Sequence, residues 1–180
     1  MKEFSLIDLL LSESVSSETL VSSFMNKYPE IYKEHPIDYY SGKCSIVSAL
    51  FTEMCFKDFK IPKVYNVIAW KQEWLDEFKG DKRRGNHTVV LIDNITYDMT
   101  SAQLYKPDEE VKYYKVLQMS DFIKDYAEHI VIEQTLEKTV EYKKTWAKYC
   151  KAIARDTARE PEMRRMASRH YNDLHKFGYI

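Results

Sequence analysis

The chain has 180 residues, a formal net charge of -1 and a hydrophobic fraction of 44%. This length suits one hydrophobic core, so we expect a single domain spanning residues 1–180. The near-neutral charge gives no overall attraction to nucleic acid or to a membrane surface, and we expect neither as a partner. A basic leader with an apolar run is missing, as is any stretch near the roughly 18 apolar residues of a membrane span, which predicts a cytoplasmic protein.

The three cysteines, Cys44, Cys55 and Cys150, are odd in number and have no Cys-x-x-Cys spacing. This pattern argues against a disulfide scaffold and against a tetrahedral zinc site. The four glycines are too dispersed to build a phosphate-binding loop. We therefore expect no metal, no other cofactor and at least one free thiol.

The first third of the chain predicts helices separated by a loop. Residues 4–26 have the apolar spacing of one amphipathic helix or two short ones. Prolines and tyrosines then predict an ordered loop. Over residues 44–56 apolar side chains recur every three or four positions, with Ser41 or Gly42 placed near the cap of this helix. Cys44 therefore lies in the first helical turn.

The middle of the chain predicts β-strands. Residues 64–70 form a β-branched and aromatic run, and residues 72–78 suit a short helical or irregular segment. Two further strands are predicted over 87–92 and 95–99. The Asp-Asn pair at 93–94 tolerates the positive φ angles of a tight turn, so these strands form a hairpin.

The hairpin register decides which side chains share a face. If Ile92 pairs with Ile95, then Val89 lies opposite Asp98, and alternation sets His87 on the same face as Asp98. These two residues are then diagonal neighbours, about 7–8 Å apart at the backbone, a separation that side chains can bridge. The opposite face is apolar and should contact the core, through Val90, Ile92, Ile95, Tyr97 and Met99.

The remainder of the chain predicts mainly helices. Residues 111–117 suit one more strand, whereas 120–149 and 160–177 suit helices. The pattern as a whole predicts an α+β protein in which a helix carrying a cysteine packs on a small antiparallel sheet. We expect residues 1–119 to form this core and residues 120–180 to form a helical extension.

Three residues in this layout suit nucleophilic catalysis. A thiol is nucleophilic as the thiolate, and the free N–H groups at a helix N-terminus favour negative charge at Cys44. A cysteine nucleophile also needs a base, and the base needs an orienting group. His87 and Asp98 can meet these two needs because they share a face of the hairpin.

This order of residues resembles the papain-like superfamily of thiol enzymes. The nearest branches by layout are the transglutaminase-like, NlpC-type and papain-like toxin groups, and the resemblance covers residues 40–103. In these groups the strand with the third triad member often continues as Asp-x-Thr-x-x-Gln. Asp98, Thr100 and Gln103 match that pattern here.

The resemblance implies Cys44 as the nucleophile, His87 as the base and Asp98 as the group that orients the imidazole. Peptidases of the papain family proper have a glutamine upstream of the cysteine as an oxyanion donor, and none precedes Cys44. The Cys44 backbone N–H can serve as one donor, and the second donor stays open between another amide and a tyrosine of the Asp38-Tyr39-Tyr40 segment.

Candidate substrate-binding residues are Tyr39, Tyr40 and Gln103, with one of the two tyrosines expected to anchor the loop to the core. The expected activity is hydrolysis of an amide in a protein or peptide by a Cys-His-Asp triad, as in a cysteine peptidase or amidase. Transglutaminase-type transfer or glutamine deamidation uses the same triad. The alternative from another class is a non-catalytic binding protein that docks through its basic C-terminal helices.

Overall fold

The computed structural model describes residues 15–32, 43–82, 85–104 and 113–176, except for the side chains of 102, 103 and 176. Within these residues the protein is mixed α+β, with six α-helices and a five-stranded antiparallel sheet. The helices are α1 (Ser17–Lys27), α2 (Cys44–Lys57), α3 (Gln72–Glu77), α4 (Met119–Phe122), α5 (Leu136–Arg155) and α6 (Pro161–Lys176). The strands are β1 (Tyr65–Trp70), β2 (His87–Ile92), β3 (Ile95–Asp98), β4 (Lys115–Gln118) and β5 (Glu128–Glu133). In the described part of the chain, no helix is both long and apolar enough to cross a membrane.

The sheet has the strand order β4-β3-β2-β1-β5 and is built around the predicted hairpin. Ile92 pairs with Ile95, and Val90 pairs with Tyr97. The predicted register is therefore confirmed. Asp93 and Asn94 have φ angles of 47° and 66°, the left-handed conformation that a two-residue hairpin turn requires.

The sheet is covered on both faces. One face, which includes Val90 and Tyr97, packs with α1 and α2 in the main hydrophobic cluster, as the alternation predicts. The other face supplies Val67, Ala69 and Val89 to a smaller cluster closed by Phe122. Helix α2 is apolar over most of its circumference because it lies between the sheet, α1 and α5.

The helix predicted over 120–149 is wrong in its first half. The short helix α4 and a 3₁₀ turn are followed by β5, which pairs with β1 along its length. The β-branched run at 130–132 favours a strand, and α5 begins only after Thr135, whose hydroxyl accepts the Lys138 N–H. Residues 120–180 are therefore no purely helical extension, because they supply one edge of the sheet.

The first two helices begin in different ways. Helix α1 begins after Ser16, whose hydroxyl accepts the Thr19 N–H at 3.1 Å. Residues 4–14 of the first predicted helix lie outside the described residues, as do Ser41 and Gly42. Helix α2 begins at Cys44 as predicted, with Lys43 in the cap position and no side-chain capping bond.

Candidate active site

Cys44 is the first residue of α2, and its side chain is 5% exposed. Its sulfur lies 3.9 Å from the Asn86 carbonyl oxygen, and the His87 ring and the Thr88 backbone are further hydrogen-bonding neighbours. The Ser45 hydroxyl lies 3.9 Å from the sulfur. The helix therefore delivers the thiol to the end of β2 at which His87 and Thr88 lie.

His87 opens β2 and is 1% exposed, and its Nε2 lies 2.8 Å from Oδ2 of Asp98. The hairpin explains this contact, because Asp98 directly follows Tyr97, which pairs with Val90. With Nε2 bound to the carboxylate, Nδ1 is the ring nitrogen left for the thiol. Cys44, His87 and Asp98 thus form a buried series of hydrogen bonds.

The second carboxylate oxygen of Asp98, Oδ1, is held by Thr100. Oδ1 accepts the Thr100 backbone N–H at 3.0 Å, and the Thr100 hydroxyl lies 3.4 Å from the same oxygen. Both carboxylate oxygens therefore have donors, which fixes the plane of the carboxylate. This geometry gives a physical reason for threonine in the Asp98-x-Thr100 segment.

The electrostatics of the pair favour a thiolate beside an imidazolium. Burial alone would raise the pKa of Cys44, but the hydrogen bond and charge of His87 outweigh it and lower this pKa below its ordinary value. Burial alone would lower the pKa of His87, but Asp98, together with Cys44, raises it to about 10. Both shifts favour a proton on the ring.

The other two cysteines provide an internal contrast. Cys55 and Cys150 are buried like Cys44. Burial raises the pKa of the Cys55 thiol to about 12 and that of the Cys150 thiol to about 11. Because the three thiols are similarly buried, the partners of Cys44 explain its opposite shift.

Tyr126 is a site residue that the sequence prediction missed. Its ring lies parallel to the His87 ring, with a centroid separation of 6.4 Å and an angle of 9° between the planes. The Phe122 ring packs against the Tyr126 ring, with 4.7 Å between the ring centroids. The sequence prediction placed Tyr126 in a helix over 120–149, which gave no reason to expect it beside His87. The β-branched run at 130–132 was the signal that this helix is interrupted.

A cleft of about 320 Å³ lies beside the thiol. Ser45 connects the two, because its hydroxyl lies 3.9 Å from the Cys44 sulfur and 3.1 Å from the Thr88 hydroxyl and also bonds to Tyr142. The cleft is lined by Ser45, Ala49, Asn66, Ile68, Thr88, Ile132, Gln134, Lys138, Thr139 and Tyr142. Its wall is therefore mixed, with hydroxyl and amide groups among aliphatic side chains.

The predicted substrate-binding residues lie outside the described structure, wholly or in their side chains, so their role stays a prediction. Tyr39 and Tyr40 lie outside the described residues, and so does Asp38. Gln103 belongs to a 3₁₀ helix, Ser101–Leu104, but its side chain is outside the described part. Among the described residues, no group of three His, Cys, Asp or Glu side chains is placed to hold a metal ion.

No protein-family model, curated protein or solved structure matches this chain. The class of site is therefore defined by its own geometry: a buried thiol, an imidazole and a carboxylate in hydrogen-bonded series. A series of this kind can activate a thiol as a nucleophile at neutral pH, because the thiolate is stabilised before substrate arrives.

Proposed function

We propose that this protein is a papain-like thiol enzyme that transfers the acyl group of an amide in a protein or peptide substrate. The observation that carries the proposal is the contrast among three buried cysteines. Cys44 has a hydrogen-bonded imidazole held by a carboxylate, and its pKa is lowered, whereas burial raises the pKa of Cys55 and of Cys150. A structural cysteine needs no such partners.

The first chemical step forms a thioester. The Cys44 thiolate attacks the amide carbonyl carbon, and the His87 imidazolium gives its Nδ1 proton to the leaving nitrogen as the C–N bond breaks. The Cys44 backbone N–H, at the start of α2, is available to stabilise the oxyanion together with a second donor. Asp98 holds the ring in place through its bond to Nε2.

The second step consumes the thioester. In hydrolysis, which we favour, His87 takes a proton from water, the hydroxide adds to the carbonyl carbon, and the Cys44 thiolate leaves with a carboxylic acid as product. Transfer to an amine uses the same thioester with a different acceptor, and deamidation is hydrolysis of a glutamine side-chain amide. We assign substrate contacts to the Ser45 and Tyr142 cleft, with Tyr39, Tyr40 and Gln103 as further candidates.

Competitive alkylation tests the nucleophile. The full chain is treated with iodoacetamide at neutral pH, and the labelling rates of Cys44, Cys55 and Cys150 are measured by mass spectrometry of their peptides. We expect labelling of Cys44 to be much faster than that of the other two, and to slow in His87→Ala. Equal, slow labelling of all three would contradict the proposal and favour a non-catalytic binding protein.

A second experiment tests the reaction. A cell extract is incubated with the wild type or with Cys44→Ser, and the peptides are compared for new termini, for glutamine converted to glutamate and for new amide cross-links. We expect one of these changes to depend on Cys44. If no product class depends on Cys44, the enzyme proposal fails even when the thiol is reactive.

A further inference from the structure

Strand β5 forms an exposed edge of the sheet. Within the described residues the strand order ends at β5, whose inner neighbour is β1. All of its residues are exposed, including Ile130 (47%), Val131 (46%) and Ile132 (38%). Edge strands are usually protected by lysine, proline or a bulge; β5 itself contains neither lysine nor proline, and the one lysine that reaches its backbone among the described residues is Lys138, which lies 3.5 Å from the Glu133 carbonyl oxygen.

The backbone groups of β5 alternate in direction. The Gln134 N–H donates to the Val64 carbonyl at 2.9 Å, so this residue faces β1. Because alternate residues of an antiparallel ladder turn their N–H and C=O groups to opposite sides, Ile132 and Ile130 also face β1. The corresponding groups of Val131 and of its second neighbours on each side therefore point to the outer edge.

We propose that β5 pairs antiparallel with β5 of a second copy of this chain, with Val131 on the two-fold axis. Only residues whose backbone groups point outward can form the bonded pairs, so Val131 meets Val131, and His129 meets Glu133 of the other copy. Ile130 and Ile132 lie opposite each other between those pairs. The result is a continuous ten-stranded sheet, from two sheets of five strands.

The side chains select this register over its neighbours. Centring the axis on Val131 sets each Glu133 carboxylate opposite a His129 ring and matches isoleucine with isoleucine. Moving the axis to Ile130 or Ile132 sets Val131 opposite His129 or Glu133, separates His129 from Glu133 and leaves one isoleucine pair instead of two. The self-complementary pairing of carboxylate with imidazole and of isoleucine with isoleucine favours a second copy as the occupant of this edge.

The dimer also bears on the cleft beside Cys44. Ile132 and Gln134 line that cleft and lie at or next to the edge strand. In the proposed register, Ile130 of the second copy lies beside Ile132, so the second copy extends the rim of the cleft. The pairing itself does not depend on the proposed activity.

Sedimentation equilibrium of the full chain tests the dimer. We expect a monomer–dimer equilibrium in the wild type, and an increase of about tenfold or more in the dissociation constant for Val131→Pro and for Ile130→Lys. Proline at 131 removes only an outward N–H, so the ladder with β1 is retained. The matched control is Met163→Lys on α6, where the native side chain is 40% exposed, and it should leave the equilibrium unchanged.

A charge exchange tests the register. Glu133→Lys should weaken the dimer because it removes the carboxylate that faces His129, and adding His129→Glu should restore it because the glutamate and the lysine then form an ion pair. Circular dichroism checks that each variant is folded. A wild type that stays monomeric at its solubility limit would overturn the proposal, as would a dimer that persists in both Val131→Pro and Ile130→Lys.

Discussion

Asp98 uses each carboxylate oxygen for a different contact. Oδ2 binds Nε2 of His87 at 2.8 Å, and Oδ1 accepts the Thr100 N–H at 3.0 Å. The backbone donor fixes the carboxylate, and the carboxylate fixes the ring that holds the Cys44 thiol. The charge of Asp98 therefore acts on the thiol through the imidazole, although the acid is two hydrogen bonds away.

Replacing Asp98 with Asn should raise the pKa of Cys44 toward its ordinary value. The amide lacks the charge that holds a proton on His87, and it also favours the wrong ring tautomer, so turnover should fall by roughly 10³- to 10⁴-fold. The thiol pKa is measured from thiolate absorbance in a Cys55→Ala, Cys150→Ala background. The control is Asp93→Asn in the turn, which should change stability by less than about 1 kcal/mol and leave the thiol unchanged. If Asp93→Asn changed the thiol pKa and Asp98→Asn did not, Asp98 would be misassigned as the residue that orients His87.

Tyr126 should support the imidazole through its ring rather than its hydroxyl. Tyr126→Phe keeps the parallel stack on His87 and should leave the thiol pKa unchanged. Tyr126→Ala removes the stack and the Phe122 contact, so it should lower the free energy of unfolding by about 2 kcal/mol and slow Cys44 alkylation. Chemical denaturation and the alkylation rate measure the two effects. A large loss of reactivity in Tyr126→Phe would show that the hydroxyl is the important group.

At the scale of elements, local patterns predicted the parts that position the triad. The apolar spacing placed Cys44 in the first turn of α2, and the Asp-Asn turn at 93–94 gave the register that joins His87 to Asp98. The strand β5 was not predicted, because a short apolar run suits a helix or a strand and its pairing with β1 is a long-range contact. Tyr126 was missed for the same reason.

A buried ion pair joins α5 to the helix that carries Cys44. Lys143 bonds to Glu53, and both side chains are buried. Burial alone would raise the pKa of Glu53, but the bonds from Lys143 and Lys57 lower it. Lys143→Met should cost about 2 kcal/mol of stability, because Glu53 then keeps only the more exposed Lys57 as a partner, whereas Lys124→Met, at an exposed pair with Asp121, should leave stability unchanged.

The stability lost in Lys143→Met should depend on pH, and the downward shift of the Glu53 pKa sets the direction of that dependence. Because the pKa of Glu53 is lowered in the folded protein, its ionised form stabilises the fold above its ordinary pKa of 4.5. That stability is lost as pH falls through the folded-state pKa. The difference between wild type and Lys143→Met should therefore shrink in acid. Urea unfolding at several pH values measures it, and a difference that grows in acid would contradict the assignment.

At the scale of the whole molecule, the C-terminal third completes the fold. Strand β5 pairs with β1 from Tyr65 to Trp70, and α5 packs on α2. A chain that ends at residue 119 loses both, so it should not unfold cooperatively, whereas the full chain should. Circular dichroism during thermal unfolding compares them. Cooperative unfolding of the shorter chain would restore the division into a core of 1–119 and a separate extension.

The pH dependence of Cys44 alkylation tests most directly whether His87 holds Cys44 as a thiolate. The rate at Cys44 should reach half its maximum below the ordinary thiol pKa of 9.0, and His87→Ala should move that midpoint upward. Cys55 and Cys150 should stay slow over the same range. A Cys44 midpoint at or above 9.0 that does not change in His87→Ala would contradict the assignment of Cys44 as the nucleophile.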